Sequence, residues 1–271
     1  MPLLWLRIAI AFYAVGLVYA LTVLVRRTPL LARITPPAMV FGMVFHFVAV
    51  VETASETHHV APTTVHDVES WLAFLMVALF AAVYARYRTL GPGLFVFPLV
   101  FVLALAASVG KQPPEFSSPV LRSGWIVLHI ALVFAGYAAL FLSFAASFLY
   151  LVSERGLKSK KPGGLASRLP PLEVIDEIGY RSLLLGFPVM TFGLIAGAVI
   201  AQAEFGPGFF RDPKIVLSLL TWVLYMVLLY TRWSAGWRGR RAAVLSAVAF
   251  VAAAAAFAAN YFSGVHRFVA Q

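Results

Sequence analysis

Six histidines and no cysteine frame the chemistry open to this 271-residue chain. The histidines are His46, His58, His59, His66, His129 and His266. His129 and His266 flank a segment, Gln202 to Lys214, in which Phe205, Phe209 and Phe210 alternate with Gly206, Pro207 and Gly208 before the charged run Arg211-Asp212-Pro213-Lys214. Two neutral imidazoles facing one aromatic-lined space could bind haem iron axially. Arg211 and Lys214 are the cations that could pair with propionates. The bland alternative is equally physical: a histidine at a membrane border is an ordinary interfacial hydrogen-bonding group, and a Phe-rich loop an interfacial anchor. His46 lies within an apolar stretch, where ionisable groups are either functional or paired inside the bundle. It is a lower-ranked iron or quinone ligand, or a hydrogen bond to another helix. His58, His59 and His66 share a segment with Glu56 and Asp67. Zinc could bind there, but His58 and His59 are adjacent rather than one turn apart, and a solvated loop explains them better. The missing cysteines remove disulfides, thiolate metal sites, thiol nucleophiles and covalent CxxCH haem attachment. No catalytic dyad is visible. Glu204 and Asp212 read as structural partners of Arg211 and Lys214, and the chain as a carrier rather than an enzyme.

The elements that must position these residues are membrane helices. The chain is 62% hydrophobic and only 12% charged, with a mean hydropathy of +0.89. A soluble domain carries about twice that share of charge, and a disordered chain is far more polar. A span needs ~20 apolar residues. Eight stretches qualify: Leu3–Val25, Pro37–Ala54, Glu69–Ala85, Gly91–Gly110, Gly124–Val152, Ser182–Ala203, Ile215–Tyr230 and Ala242–Phe262. Backbone polar groups cannot go unpaired in lipid, so each must be a helix. The first stretch is long enough to be a span rather than a cleavable leader. The expected fold is therefore an all-α integral membrane protein, one polytopic domain over residues 1–271.

Charge orients it. Loop one holds Arg26, Arg27 and Arg33, and loop three Arg86 and Arg88. Loop five, 153–181, holds Arg155, Lys158, Lys160, Lys161, Arg168 and Arg181, and loop seven Arg232, Arg238, Arg240 and Arg241. The even loops hold only Lys111, Arg122, Arg211 and Lys214. The positive-inside rule puts the odd loops in the cytoplasm and both termini on the outer face. The net charge of +10 then reflects basic loops rather than nucleic-acid binding. Within loop five, Leu172–Ile178 could form a short interfacial helix. The loop 202–214 and every histidine except His46 fall at or near the outer face.

Several motifs resemble one family. Trp125-Ile126-Val127-Leu128-His129 followed by Gly136-Tyr137 resembles a helix carrying an outer-face histidine in the cytochrome c assembly protein family, the membrane proteins of the CcsA, CcmC and HemX/YpjD types. Ile175-Asp176-Glu177-Ile178-Gly179-Tyr180-Arg181, Gly186-Phe187-Pro188 and Gly193 through Gly197 resemble the family's next span. Trp222, Thr231-Arg232 and Gly236-Trp237-Arg238-Gly239 resemble the helix and basic turn after it. His266 falls where the family has its second outer histidine. In the first half, Glu69-Ser70 and His46 resemble the family's helix-three opening and a helix-two histidine.

The resemblance implies haem b held non-covalently, with His129 and His266 as axial ligands to the iron. It implies a cradle from Phe205, Phe209, Phe210, Arg211, Asp212, Lys214 and Trp222. In the family that loop is rich in tryptophan and ends Trp-Asp-Pro-Lys. Here Phe205, Phe209, Arg211 and Leu217 replace tryptophans, and Tyr230 replaces a further histidine, which makes the chain look closest to the HemX/YpjD branch. Phenylalanine stacks on a porphyrin but lacks the indole N–H. The leading expectation is a haem carrier of cytochrome c biogenesis in a bacterial inner membrane, serving other biogenesis membrane proteins. The alternative is a HemX-like regulator that docks a tetrapyrrole-synthesis enzyme on loop five. A b-type electron-transfer subunit using His46 and a transporter rank below both, since no inverted repeat or pair of broken helices is evident.

Overall fold

The computed structural model describes residues 1–58, 60–62, 64–109, 124–159 and 165–259. These form eight α-helices in up-and-down order: α1 (Pro2–Val23), α2 (Pro29–Thr57), α3 (Val65–Tyr87), α4 (Gly93–Val109), α5 (Gly124–Lys158), α6 (Leu172–Phe205), α7 (Pro213–Trp233) and α8 (Arg240–Ala258). All but α4 and α8 are long and apolar enough to cross a membrane, and α4 is an apolar helix of 17 residues. This is a multi-pass membrane architecture.

Helix boundaries depart from the hydropathy reading in an instructive way. Helix α2 starts at Pro29, before the expected Pro37, and runs through Pro36 and Pro37, so Arg33 sits on the helix. Proline cannot donate to the carbonyl one turn back. Membrane helices tolerate interior proline, and beside this pair the Thr35 hydroxyl donates to Leu31 O at 2.7 Å. Helix α3 starts four residues before the expected Glu69, at a reciprocal cap: the Thr64 hydroxyl accepts from Asp67 N–H, and the Asp67 carboxylate from Thr64 N–H. That pairing satisfies two of the helix's free donors.

The largest departure concerns 153–181. Most of this segment belongs to helices, α5 to Lys158 and α6 from Leu172, joined through a 3-10 turn at Leu165–Arg168. Leu172–Ile178 is not a separate interfacial helix but the opening of α6. Ile175 and Ile178 are each 1% exposed and pack with Ala146 and Leu149 of α5. At 35 and 34 residues, α5 and α6 would each extend roughly 50 Å at 1.5 Å per residue. The hydrocarbon core is ~30 Å thick, so the pair projects beyond it.

A glycine seam holds that pair together. Gly179, Gly186 and Gly193 recur every seven residues along α6, the spacing that keeps one stripe facing a partner helix. A Cβ added at Gly186 would lie 2.8 Å from Ala139 Cβ, and one at Gly193 would lie 2.9 Å from Val133 Cγ2 and 3.1 Å from its backbone nitrogen. At Gly179 the nearest atom is Ala146 Cβ, at 3.4 Å. Small residues on both helices let the backbones approach, and close packing drives helix association in lipid. Helix α5 is shared between two cores. Phe134, Ala138 and Phe141 join the cluster built on α1, α3 and α4, while Leu140 joins Leu183, Tyr225 and Ala249.

The odd connections meet at one end. Arg168 donates to Val23 O at 2.7 Å and Val25 O at 2.9 Å, giving partners to the carbonyls at the close of α1. Arg27 reaches Ser167 O at 3.4 Å. Pro170 packs against Gly91, and Arg232 pairs with Asp176 at 2.9 Å. The loops rich in Lys and Arg thus form one basic end. The starts of α1, α3, α5 and α7 lie at the other, where the amine of Met1 meets Glu56 at 2.5 Å.

The seam makes a direct prediction. Gly186→Ala should lower stability by about 1–3 kcal/mol, the usual cost of overpacking a tight contact, in equilibrium unfolding in mixed detergent. Adding Ala139→Gly should restore most of the loss. An equal loss in the single and double variants would show that this contact is not the cause.

Candidate functional site

The end opposite the basic loops carries His129 and the turn between α6 and α7. Helix α6 stops at Gly206, whose φ of +64° suits glycine and whose N–H reaches back to Gln202 O. A 3-10 turn, Gly206–Arg211, reverses the chain. Asp212 then caps α7, its carboxylate accepting from Lys214 N–H at 2.9 Å with Pro213 in the first helical turn. An acceptor at the cap followed by proline is a strong helix start. Asp-Pro-Lys is therefore a structural device that delivers Lys214 to the mouth of the α5–α6 pair. Lys214 is half-buried and lies within electrostatic reach of both Asp212 and His129. A cation at the positive end of a helix dipole favours nearby anions.

His129 sits near the start of α5, half-buried against α6. Its Nδ1 is 2.7 Å from Gly193 O. A carbonyl only accepts, so Nδ1 carries the proton and Nε2 the lone pair. No group among the described residues hydrogen-bonds to Nε2. This is the tautomer and orientation a metal-ligating histidine uses.

The other expected residues divide. Phe210 and Arg211 are exposed on the turn. The side chains of Phe205 and Phe209, and His266 entirely, lie outside the described residues. Trp222 stands two turns below Lys214, where its indole N–H donates to Thr191 Oγ1 at 2.9 Å and its ring stacks on Phe187 at 5.7 Å. It pins α7 to α6. His46 is fully buried, with Nδ1 3.2 Å from the Tyr13 hydroxyl and Nε2 3.0 Å from Ser70 Oγ. These partners are on α1 and α3, so His46 and His129 are not brought together. His58 is exposed at the left-handed cap of α2, and His66 pairs with Glu69 at 3.3 Å. No metal-binding group of His, Asp and Glu occurs among the described residues.

Sequence reasoning missed three features. The Gly193 carbonyl orients His129, and backbone roles leave no residue-type signal. Tyr13 and Ser70 serve His46 from helices distant in the chain. At the basic end, motif residues of α6 and α7 meet. Arg232, 7% exposed on its side chain, bonds Asp176 and lies 4.9 Å from the Tyr180 ring centroid. They line a cleft of about 570 Å³ with Tyr150, Trp233 and Trp237.

The cap gives a clean separation of roles. Asp212→Ala should cost about 1 kcal/mol through loss of the cap, while Asp212→Asn, which keeps an acceptor, should cost little. Thermal unfolding of the two variants in detergent checks this; equal losses would mean that the charge of Asp212, not its cap, holds the turn.

Known proteins resemble this chain over much of its length. Three curated relatives are each named Cytochrome c biogenesis protein CcsA. The relative from Guillardia theta is 30% identical over 204 residues, covering 68% of each chain. That from Synechococcus sp. (strain CC9902) is 34% identical over 160 residues, covering 51% of this chain and 53% of the relative. That from Prochlorococcus marinus (strain MIT 9312) is 34% identical over 188 residues, covering 61% of each. The chain thus spans between about half and two-thirds of the length of these relatives. The model of the family described as Cytochrome C assembly protein matches residues 5–266, nearly the whole chain, and the protein belongs to that family.

Proposed function

We propose that the protein is a haem-handling factor of cytochrome c assembly that holds haem b non-covalently at its histidine end and presents it to a partner. One observation carries this reading: the Gly193 carbonyl holds the Nδ1 proton of His129 and leaves Nε2 as a lone-pair nitrogen. His129 and His266 would hold the iron. Phe205, Phe209 and Phe210 would supply aromatic surface to the macrocycle, and Trp222 braces α7 against α6. Arg211 and Lys214 meet the propionates, and Asp212 holds Lys214 in place. The partner supplies the thiols, because this chain has no cysteine, and the chain makes and breaks no bonds itself. His46 is assigned to packing rather than to iron, since both ring nitrogens already have hydroxyl partners.

In this reading all eight helices cross a bacterial inner membrane. The basic end is cytoplasmic by the positive-inside rule, and the termini are outside. The 202–214 turn faces the compartment where cytochromes mature, and 153–181 faces the cytoplasm. A second reading, a HemX-like regulator of tetrapyrrole synthesis, draws on the replaced tryptophans and on the projecting inner ends of α5 and α6 as a docking surface. The relatives reported above bear the biogenesis name, so it stands second. Retention of every cytoplasmic partner after deletion of 160–168 would remove that docking role.

The test is the absorbance spectrum of protein purified in mild detergent, with a pyridine haemochrome assay. The expected result is a b-type Soret band that disappears in the His129→Ala, His266→Ala double variant. His46→Leu should keep the band while destabilising the bundle by about 1–3 kcal/mol, because the buried Tyr13 hydroxyl and the half-buried Ser70 hydroxyl lose their partner. A Soret band unchanged in the double variant removes these ligands.

A further inference from the structure

We propose that Gly197 is a positioning residue for His129: its missing side chain forms the notch in which the imidazole lies while Nδ1–H bonds to Gly193 O. This rests on the reading of His129 as an iron ligand, and it assigns the work of orienting that ligand to the backbone of α6.

The argument starts from what each glycine of α6 faces. At Gly179, Gly186 and Gly193 the nearest atoms belong to Ala146, Ala139 and Val133. Those glycines serve helix approach. At Gly197 the three nearest atoms all belong to the His129 ring: a Cβ there would lie 2.7 Å from Nδ1 and 3.2 Å from Nε2, with Cε1 nearer still. Contacts below 3.0 Å require something to shift. The shift cannot be a small flexing of a chain end, because the ring is rigid and its Nδ1 is tied 2.7 Å from Gly193 O. Gly193 and Gly197 are one turn apart on the same face of α6. One supplies the acceptor that selects the tautomer, and the other supplies the space that sets the ring's plane and height. A ligand held by a hydrogen bond on one nitrogen and a backbone wall along one edge keeps Nε2 at a fixed place before any iron arrives. Such preorganisation makes a site, and loss of an orienting partner commonly weakens a metal site by about 10–100-fold.

Two measurements on the full-length protein in detergent test this. Nitrogen-15 NMR of histidine-labelled, haem-free protein should show His129 as a single tautomer, protonated at Nδ1. Gly197→Ala should give mixed tautomers or Nε2 protonation and weaken haem binding in titration by about 10–100-fold. Gly124→Ala, where a Cβ meets open space, should match the wild type. A Gly197→Ala protein with the wild-type tautomer and affinity overturns the proposal, as does Nε2 protonation in the wild type.

If Gly197→Ala fails to fold, the variant combining His129→Gly with Gly197→Ala decides the matter. It should fold as well as His129→Gly alone, because the clashing ring is gone. Failure of the double variant where His129→Gly folds would show that Gly197 serves helix packing, and would overturn the proposal. Haem affinity unchanged in His129→Gly would instead remove the ligand role of His129, while the tautomer measurement still reports on the notch.

Discussion

The close approach of α5 and α6 is the constraint on which the rest of the structure depends. In lipid, apolar side chains gain little by leaving the solvent for one another, so helices associate through packing and hydrogen bonds. Three glycines at a seven-residue spacing, set against Ala146, Ala139 and Val133, bring the two longest helices together over most of their length. Because α5 also packs on α3 and on α8, and its residues join both clusters, its register fixes the relation between the two cores. The same seam that glues the bundle delivers His129 to the backbone of α6.

Both ends of that pair carry polar chemistry, of different kinds. At the histidine end, a glycine cap, a 3-10 turn and the Asp212 cap reverse the chain within a few residues and set Lys214 beside the histidine. At the basic end, arginines close the structure instead of opening it. Arg168 serves the terminal carbonyls of α1, and Arg232 joins α7 to α6 through Asp176 and Tyr180. Guanidinium groups suit this role because several donors in a fixed plane can serve several acceptors at once. The basic connections therefore also tie helices together at this end.

His46 shows how a polar residue is made tolerable deep in such a bundle. An unpaired imidazole in an apolar setting is costly. Tyr13 and Ser70 reach its two nitrogens from the helices on either side, converting a lone polar residue into a three-helix pin. Residue type alone could not separate this outcome from metal binding, because both need the same side chain in the same kind of stretch.

Much was legible in the chain itself. Continuous apolar runs require helices, since backbone groups in lipid have no other partners. The segregation of Arg and Lys to alternate loops gives the antiparallel order, and the family motifs divide between the two ends of the bundle, His129 at one and Asp176, Tyr180 and Arg232 at the other. Local rules failed where neighbours override them. Pro37 reads as a helix start but lies inside α2, and Leu172–Ile178 reads as a short interfacial helix but is the opening of α6, with Ile175 and Ile178 buried. Only the tertiary structure decided which of His46 and His129 keeps a nitrogen without a hydrogen bond among the described residues, because that depends on partners from other helices: a backbone carbonyl for His129, two hydroxyls for His46. Composition and periodicity determine how a chain meets its solvent, water or lipid. Which polar group meets which is settled by helix register, and register is set by side-chain shape across an interface that no single stretch of sequence contains.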